Sequence, residues 1–295
     1  MNAPLLRLEN VRIDQGERPV FAGLSLETSG DRVGLSAGAS VLLDVLEGTA
    51  QLVSGHFEVA GQALDRARLA GTVHVARPWS NAFRGLRFEQ ALVASLILAG
   101  QSRSLARQRV EEQLDALGLT SLAKRRLGPR PCAEHYIGGL VESLLLDPPV
   151  VAVQWPIGAI DPEGWVRYGS VLARALPRRR WLVGIPQSTE LPVELAWFRT
   201  LDEVVWISSR GSGMVCAPDP KQACLLVELA EPADALVADL REAEISVQVL
   251  SPNSSRLLLV LPREPGGHPR TELLVDRCAR FGLTLLHLEP LDGLA

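Results

Sequence analysis

Lysine is almost absent from this chain of 295 residues, since Lys124 and Lys221 are its only lysines. A site that depends on a lysine therefore has very few places to lie. Long hydrophobic runs are absent too, because the longest mostly apolar piece, ALVASLILAG, stops at about ten residues, half of what a bilayer-spanning helix requires. The N-terminus has no basic head followed by an apolar stretch, so we expect a chain that is not secreted.

An excess of positive charge is also lacking. The formal net charge is −4, which argues against a broadly basic surface, and we predict no nucleic-acid partner. The cysteines, Cys132, Cys216, Cys224 and Cys278, follow neither a disulfide pattern nor the spacing of metal ligands, which indicates reduced thiols in the cytoplasm. The five histidines form no pair at helical spacing, so we predict no metal site.

The first third of the chain has the pattern of strands followed by helices. Apolar alternation predicts strands in LLRLENVRI, VFAGLSLETSG and DRVGLSAG, and the last of these runs through small residues into the helix SVLLDVLEG. Phosphate-binding loops occupy this position, because free backbone amides and a helix N-terminus attract anions. GHFEVAG and TVHVARP predict two more strands. After Pro78 the apolar period becomes helical as far as about residue 128.

A second α/β portion follows. The segment GGLVESLLLDPP predicts a helix, VVAV a strand, EGWVRYGSVLARAL a helix, and WLVGI and EVVWIS two further strands. Continuous apolar strands that alternate with helices indicate a parallel sheet covered on both faces. Residues 211–221 are rich in turn formers, and we predict that they end this domain.

The remaining residues, from about 222, have the order β-α-β-β-α-β. The strands are predicted in ACLLVELA, ISVQVLS, RLLLVLP and LTLLHLEP, and the helices in ADALVADLREAE and TELLVDRCARFG. This order is that of the ferredoxin-like arrangement.

The order of these pieces resembles the ATP-binding subunit of an ABC transporter with the C-terminal extension of exporters of the drug-efflux and gliding-motility type. The stretches that carry the resemblance include LENVRIDQGERPVFAGLSLE, LVSGHFEVAG, LLLDPPVV, GAIDPEG and WFRTLDEVVWISS, in the family's order over roughly residues 5–210. The resemblance implies an α/β P-loop NTPase-like core with antiparallel β and helical subdomains. We therefore expect a nucleotide-binding domain at 1–215, with a helical insertion at about 84–146, and a ferredoxin-like domain at 222–295.

The same resemblance assigns the nucleotide-site positions and shows that most have changed. Gln154 aligns with the magnesium-side aspartate and Trp155 with the catalytic glutamate; a neutral amide suits the metal poorly, and an indole accepts no proton from water. In the phosphate loop, which is about four residues short, Ala39 replaces the lysine between Gly38 and Ser40, and Ser40 matches the magnesium-side hydroxyl.

Further positions differ in the same way. The resemblance aligns Gln15 with the adenine-stacking aromatic, Pro78 with the glutamine that links nucleotide to the membrane subunit, and Gln187 with the switch histidine; only Asp161 keeps its type. The signature loop corresponds to Arg130, Pro131, Cys132, Ala133 and Glu134, without its Ser-Gly-Gly core. Gly138 and Gly139 lie one helical turn too late for that core, and we interpret them as a place of close packing.

From these losses we predict that the chain is not an enzyme and that it binds neither ATP nor magnesium. We expect a non-catalytic subunit, cytoplasmic and peripheral to the inner face of the membrane, that associates with a membrane permease and with an active ABC ATPase or a second copy. Two alternatives are open. One is a free-standing scaffold or regulator that acts through its C-terminal domain, and the other is a weak ATPase in which Asp161, Glu163 or Glu142 replaces the usual groups.

The resemblance also places the permease contact near the segment RPWSNAFRGLRF. Trp79, Phe83 and Phe88 are the predicted partner-binding residues, with Trp79 expected to be the exposed one. The alternative is that all three are core aromatics at the edge of the helical subdomain.

Overall fold

A computed structural model describes most of the chain. The described ranges are 3–15, 18–36, 41–79, 83–128, 132–154, 162–184, 200–207, 213–216, 222–251, 254–262 and 270–290. They contain three sheets, and none of their helices combines the length and apolar character needed to span a membrane.

An antiparallel sheet of four strands begins the fold. Its strands are β1 (Leu6–Gln15), β2 (Arg18–Glu27), β4 (Gln51–Val59) and β5 (Gln62–Ala63), in the order β2-β1-β4-β5. Leu6 and Leu8 on β1 are buried, as the apolar alternation predicts, and Val11 and Ile13 are buried beyond a shift in the register of the strand. β5 and the short helix α2 (Leu64–Leu69) do not follow from the sequence analysis, because two residues of strand and six of helix are too short to show a period.

The second sheet is largely parallel, as predicted. It runs β10-β9-β3-β8-β7-β6, with β3 (Arg32–Leu35), β6 (Val73–Ala76), β7 (Val150–Val153), β8 (Arg180–Gly184), β9 (Glu203–Ile207) and β10 (Gly213–Cys216). Both faces are covered: Val150 and Ala152 on β7 pack into one apolar cluster, and Val151 and Val153 into another. Helices α1 (Val41–Glu47) and α6 (Pro162–Ala175) follow β3 and β7.

The sequence analysis is wrong about β10, which lies within the segment read as turns. Its four residues pair antiparallel with β9, where Met214 lies opposite Trp206 and Val215 opposite Val205. Glycine and proline on either side hide a strand of this length in the sequence, whereas the exposed edge of β9 provides it with hydrogen-bond partners.

Three helices lie between β6 and β7: α3 (Phe88–Leu98), α4 (Arg103–Ala116) and α5 (Ala133–Leu146). Ser102 caps α4, whose Ala106, Val110 and Leu114 are buried at helical spacing. The helix stops before Gly118, which has a φ of +67°, and a single turn of 3-10 helix follows at Thr120–Leu122.

The C-terminal portion has the predicted order of elements. These are β11 (Gln222–Leu229), α7 (Asp234–Glu242), β12 (Ser246–Val249), β13 (Arg256–Pro262), α8 (Glu272–Arg280) and β14 (Leu285–Pro290), and the sheet is antiparallel in the order β12-β13-β11-β14. Leu225 and Val227 pack with the two helices, while Cys224 and Leu226 on the other face join the large core. That residues 222–295 form a separate ferredoxin-like domain stays a prediction.

Candidate nucleotide site

The described residues that follow three of the parallel strands are polar. Ser36 comes directly after β3, Arg77 after β6 and Gln154 after β7. Because parallel strands all end at one edge, these residues lie along the carboxyl edge of the sheet, where α/β proteins bind their ligands.

Arg77 is the basic residue of this edge. Its Nη2 donates to the Asp44 carboxylate on α1 over 3.0 Å and also contacts the Glu47 carboxylate, while its Nη1 lies 3.4 Å from the amide oxygen of Gln154. Burial alone would lower the pKa of Arg77, but the hydrogen bonds that it donates to Glu47 and Asp44 outweigh burial and raise the pKa. The guanidinium is therefore a permanent positive charge, held between α1 and β7.

Ser36 has an unsatisfied hydroxyl. The residue is 1% exposed, its backbone N–H donates to the Val205 carbonyl over 3.0 Å, and its Oγ has no hydrogen-bond partner among the described residues. A buried hydroxyl without a partner costs about 1–3 kcal/mol. Among the described residues, the hydroxyl therefore keeps its full hydrogen-bonding capacity at the point where β3 ends.

Two residues of this edge are of types that bind phosphate, and one of them, Arg77, is already paired with two carboxylates. Arg77 provides a cation and Ser36 a hydroxyl, which are two of the groups that phosphate binds. The amide oxygen of Gln154 is of a type that magnesium also accepts. Within the described ranges, no cluster of three or more His, Cys, Asp or Glu side chains could hold a metal ion on its own.

The structure tests only some of the site residues predicted from the sequence. Gln154 directly follows β7 and is partly buried, and Pro78 follows Arg77. Gln15 is the last residue of β1, and its side chain is outside the description. Gly38, Ala39, Ser40, Trp155, Asp161 and Gln187 lie outside the described residues. Arg77 was missed, although a basic residue directly after a predicted parallel strand is a signal that the sequence does contain.

The predicted signature segment is described from Cys132 onward; Arg130 and Pro131 lie outside it, and Ala133 begins α5. The Cys132 Sγ lies 3.1 Å from Nδ1 of His135, and burial raises the pKa of this thiol. Glu134 pairs with Arg125 over 2.5 Å. Burial acts to raise the pKa of Glu134, but hydrogen bonds from Cys132 and the backbone, with the charge of Arg125, lower it overall.

The aromatic residues predicted for partner binding form an interior cluster. The Trp79 ring centroid lies 5.1 Å from that of Phe83 and 5.3 Å from that of Phe88. Trp79 is 6% exposed and Phe88 is fully buried, so the expectation that Trp79 is the exposed member is wrong. The reason is that its indole N–H donates to Glu142 on α5 over 2.5 Å, which directs the ring inward. Phe83 is partly exposed, and its contact with a partner stays a prediction.

Two glycines of α5 bring the helix against the strand end that carries Arg77. A Cβ on Gly138 would overlap the Trp79 ring, and a Cβ on Gly139 would overlap the Arg77 carbonyl oxygen. This is the close packing that we interpreted from the sequence. It fixes the backbone of Arg77 and therefore the origin of its side chain.

Two of the three alternative acids, Glu142 and Glu163, lie within the described residues, and both are paired with other side chains. Glu142 accepts hydrogen bonds from Trp79 and Ser95 between the helices. Glu163 is exposed and lies 3.4 Å from Arg167, one turn further along α6. Asp161 lies outside the described residues.

Comparison with known protein sequences identifies a relative of this chain. No protein-family model matches the chain. It is 30% identical over 168 residues to the thiamine import ATP-binding protein ThiQ of Jannaschia sp. (strain CCS1), a match that covers 54% of this chain and 71% of that protein.

Solved structures of similar fold include ATP-binding cassettes of ABC transporters. The chain is similar to cbiO1 from Clostridium perfringens, part of the ABC transporter complex cbiONQ, with a TM-score of 0.58 and 15% identity over 73% of this chain and 89% of that one. It is also similar to MJ1267, an ATP-binding cassette of an ABC transporter in its ADP conformation, with a TM-score of 0.55 and 17% identity over 72% of this chain and 91% of that one. At these identities the two structures show the fold.

Two predictions are wrong in the light of these comparisons: that the chain is not an enzyme, and that ATP and magnesium are not its cofactors. The relative is itself named as an ATP-binding protein, and a structural neighbour was solved in its ADP conformation. The prediction rested on the replaced motif side chains and on the shortened phosphate loop. It left out the residues that the motifs do not include, Arg77 among them.

Proposed function

Because this chain belongs to the family of ABC transporter ATP-binding proteins, we propose that it binds ATP as the nucleotide-binding subunit of a membrane transporter. The observation that carries the proposal is the 30% identity to a named ATP-binding protein, over 71% of that protein's length. The carboxyl edge supports it, since Arg77 and the unsatisfied Ser36 hydroxyl lie where nucleotide phosphates bind in such sheets.

We also propose that the chain is peripheral to the inner face of the membrane through a permease subunit, and that it pairs with a second ATP-binding subunit, either a copy of itself or an active ABC ATPase. Phe83, the partly exposed member of the aromatic cluster, is the proposed permease contact. The βαββαβ order of the C-terminal portion supports an exporter of the drug-efflux and gliding-motility type.

Calorimetric titration of the purified chain with Mg-ATP tests the proposal. The concentrations should reveal a dissociation constant as weak as about 1 mM, which corresponds to about −4 kcal/mol. We expect heat of binding and a rise in melting temperature with Mg-ATP, and neither with adenosine. Absence of both signals with Mg-ATP would overturn the proposal. Phosphate release in the same samples then measures hydrolysis separately from binding.

Co-purification tests the permease contact. The chain is expressed with the permease encoded nearest to its gene, and the membrane fraction is probed for both. We expect retention on the membrane that falls when Phe83 is changed to Ser. Asp65→Asn, at a carboxylate that is 92% exposed on α2, is the control expected to leave retention unchanged. Equal retention of the Phe83 variant would remove this residue from the interface.

A further inference from the structure

The nucleotide site requires a cation that the sequence does not supply in the expected place. Ala39 stands at the lysine position, and Lys124, one of the two lysines, is exposed beyond the 3-10 turn of the helical portion. Among the described residues directly after β3, β6 and β7, Arg77 is the only basic one. A phosphate chain carries several negative charges, and its binding sites normally include a side-chain cation.

The donors of Arg77 divide into two groups. Nη2 is engaged by the carboxylates of Asp44 and Glu47, which fix the guanidinium. Nη1 has one long contact, 3.4 Å, to the neutral Gln154 amide, and Nε has no partner among the described residues. A charged acceptor would therefore replace Gln154 as the partner of Nη1, because hydrogen bonds between charged groups are about twice as strong as neutral ones.

The guanidinium is also within reach of a ligand. The side chain is 33% exposed. Asp44 lies three residues from Val41 at the start of α1, about 4.5 Å of helix rise, so its partner Arg77 lies within about one turn of that end of the helix.

We propose that Arg77 is the side-chain cation that binds the phosphate groups of the nucleotide in this chain, held ready by Asp44 and Glu47. The inference rests on the proposed function and goes beyond it, because it assigns phosphate binding to an arginine at the end of β6 rather than to a lysine in the phosphate loop.

The charge balance makes a distinctive prediction. Two carboxylates against one guanidinium leave a net negative charge of about one, which opposes the arrival of phosphate. Removing one carboxylate therefore releases a donor and lowers the repulsion. A purely structural Arg77 would behave in the opposite way, because loss of its partner would loosen the site.

Calorimetry with Mg-ATP and with inorganic triphosphate tests this inference on the full chain. We expect Arg77→Gln to weaken the binding of both ligands at least tenfold, in line with loss of a charged hydrogen bond. Arg77→Lys should weaken binding less than Arg77→Gln does, because it keeps the charge but loses the planar fork that contacts Asp44, Glu47 and Gln154 together. Asp44→Asn should tighten both ligands. Arg280→Gln is the matched control, because Arg280, on α8 of the C-terminal portion, pairs with Asp239 at 3.5 Å, and we expect no change in affinity.

The outcomes separate the two proposals. If the wild-type chain binds neither ligand, the proposed function and this inference both fail. If it binds them and Arg77→Gln binds equally well, only the inference fails. Melting temperatures without ligand show whether each variant folds. If Arg77→Gln does not fold, Asp44→Asn decides: tighter binding supports the inference, and unchanged or weaker binding overturns it.

Discussion

The carbonyl oxygen of Arg77 faces the Cα of Gly139 so closely that no side chain fits between them. Through this contact α5 packs against the end of β6, directly beside the carboxyl edge of the parallel sheet. Gly139 has an ordinary φ, so its requirement is for space rather than for a special backbone conformation.

We therefore expect Gly139→Ala to destabilise the fold. The added methyl would overlap a backbone atom, which cannot rotate away, so α5 must shift, and overpacking of this kind costs about 1–3 kcal/mol. Urea unfolding followed by circular dichroism measures the loss. Gly128→Ala is the control, because no atom of the described residues lies within 4 Å of the added Cβ. Equal stability of the two variants would contradict the close contact.

The acid stability of the chain should depend on Asp202. Its carboxylate accepts hydrogen bonds from the Arg32 side chain and from the backbone N–H groups of Asp31 and Arg32, which joins the starts of β3 and β9. Burial acts to raise the pKa of Asp202, but these bonds lower it overall. Because the pKa of Asp202 is lower in the folded chain, its carboxylate stabilises the protein at pH values above the pKa of a free aspartate, about 4. This stabilisation is lost as the pH falls through the lowered pKa of the folded state.

Asp202→Asn should therefore reduce the free energy of unfolding by about 1–2 kcal/mol at pH 7, and the difference from wild type should shrink below about pH 4. Chemical denaturation at a series of pH values checks this. Asp65→Asn, at the exposed carboxylate on α2, should stay within about 0.5 kcal/mol of wild type. A difference for Asp202→Asn that persists unchanged to pH 2.5 would exclude the ionised carboxylate as its cause.

His74 should make stability fall in mild acid. Its Nδ1 lies 2.8 Å from the Ser143 hydroxyl. Burial lowers the pKa of the ring, and the carboxylates of Glu142 and Glu47 oppose this only in part. As the pH falls, the unfolded chain protonates this ring before the folded chain does. The stability that the neutral buried ring contributes is therefore complete above about pH 6.5 and is lost as the pH falls through the lowered pKa of the folded state.

The measurement compares the free energy of unfolding of wild type and His74→Asn between pH 8 and pH 5. Wild type should lose more stability over this range than the variant, because the variant lacks the group that must be protonated while buried. His56→Asn is the control, since that ring is half-exposed beside Glu58 on β4. Parallel curves for wild type and His74→Asn would show that the ring does not contribute.

The fold was largely predictable from the sequence because its strands and helices are long enough to show their periods. β7 and β8 read as continuous apolar strands, and the six C-terminal elements follow in the predicted order. The elements that the sequence analysis did not predict are short. β10 is a short strand among glycines and prolines, and its pairing with β9 is a tertiary contact that no local pattern contains.

The site was less predictable, because alignment to a motif says which residues are replaced and not which residues take their place. Arg77 lies one position before Pro78, to which the alignment drew attention. Its role depends on Asp44 and Glu47, which lie 33 and 30 residues earlier in the chain. Trp79 looked exposed because it adjoins polar residues, yet its indole N–H has a partner on α5. Both relationships are long-range, so the sequence alone does not contain them.

Glu142 should be a structural carboxylate, and its removal should be costly. It accepts hydrogen bonds from Trp79, after β6, and from Ser95, on α3, and so joins both to α5. Glu142→Ala would leave an indole N–H and a hydroxyl without partners in a largely buried place, at about 1–3 kcal/mol for each unsatisfied group. We expect a loss of about 2–4 kcal/mol in urea unfolding, and a smaller loss for Glu142→Gln, which keeps one acceptor oxygen.

A double-mutant cycle separates the contact from general damage. If Glu142 acts through Trp79, the loss in Glu142→Ala should shrink by about 1 kcal/mol or more when Trp79 is already Phe, because the donor that loses its partner is gone. Ser95→Ala gives the second cycle. Additive losses in both cycles would show that the three side chains do not interact, and an unchanged melting temperature for Glu142→Ala would show that the carboxylate carries no structural role.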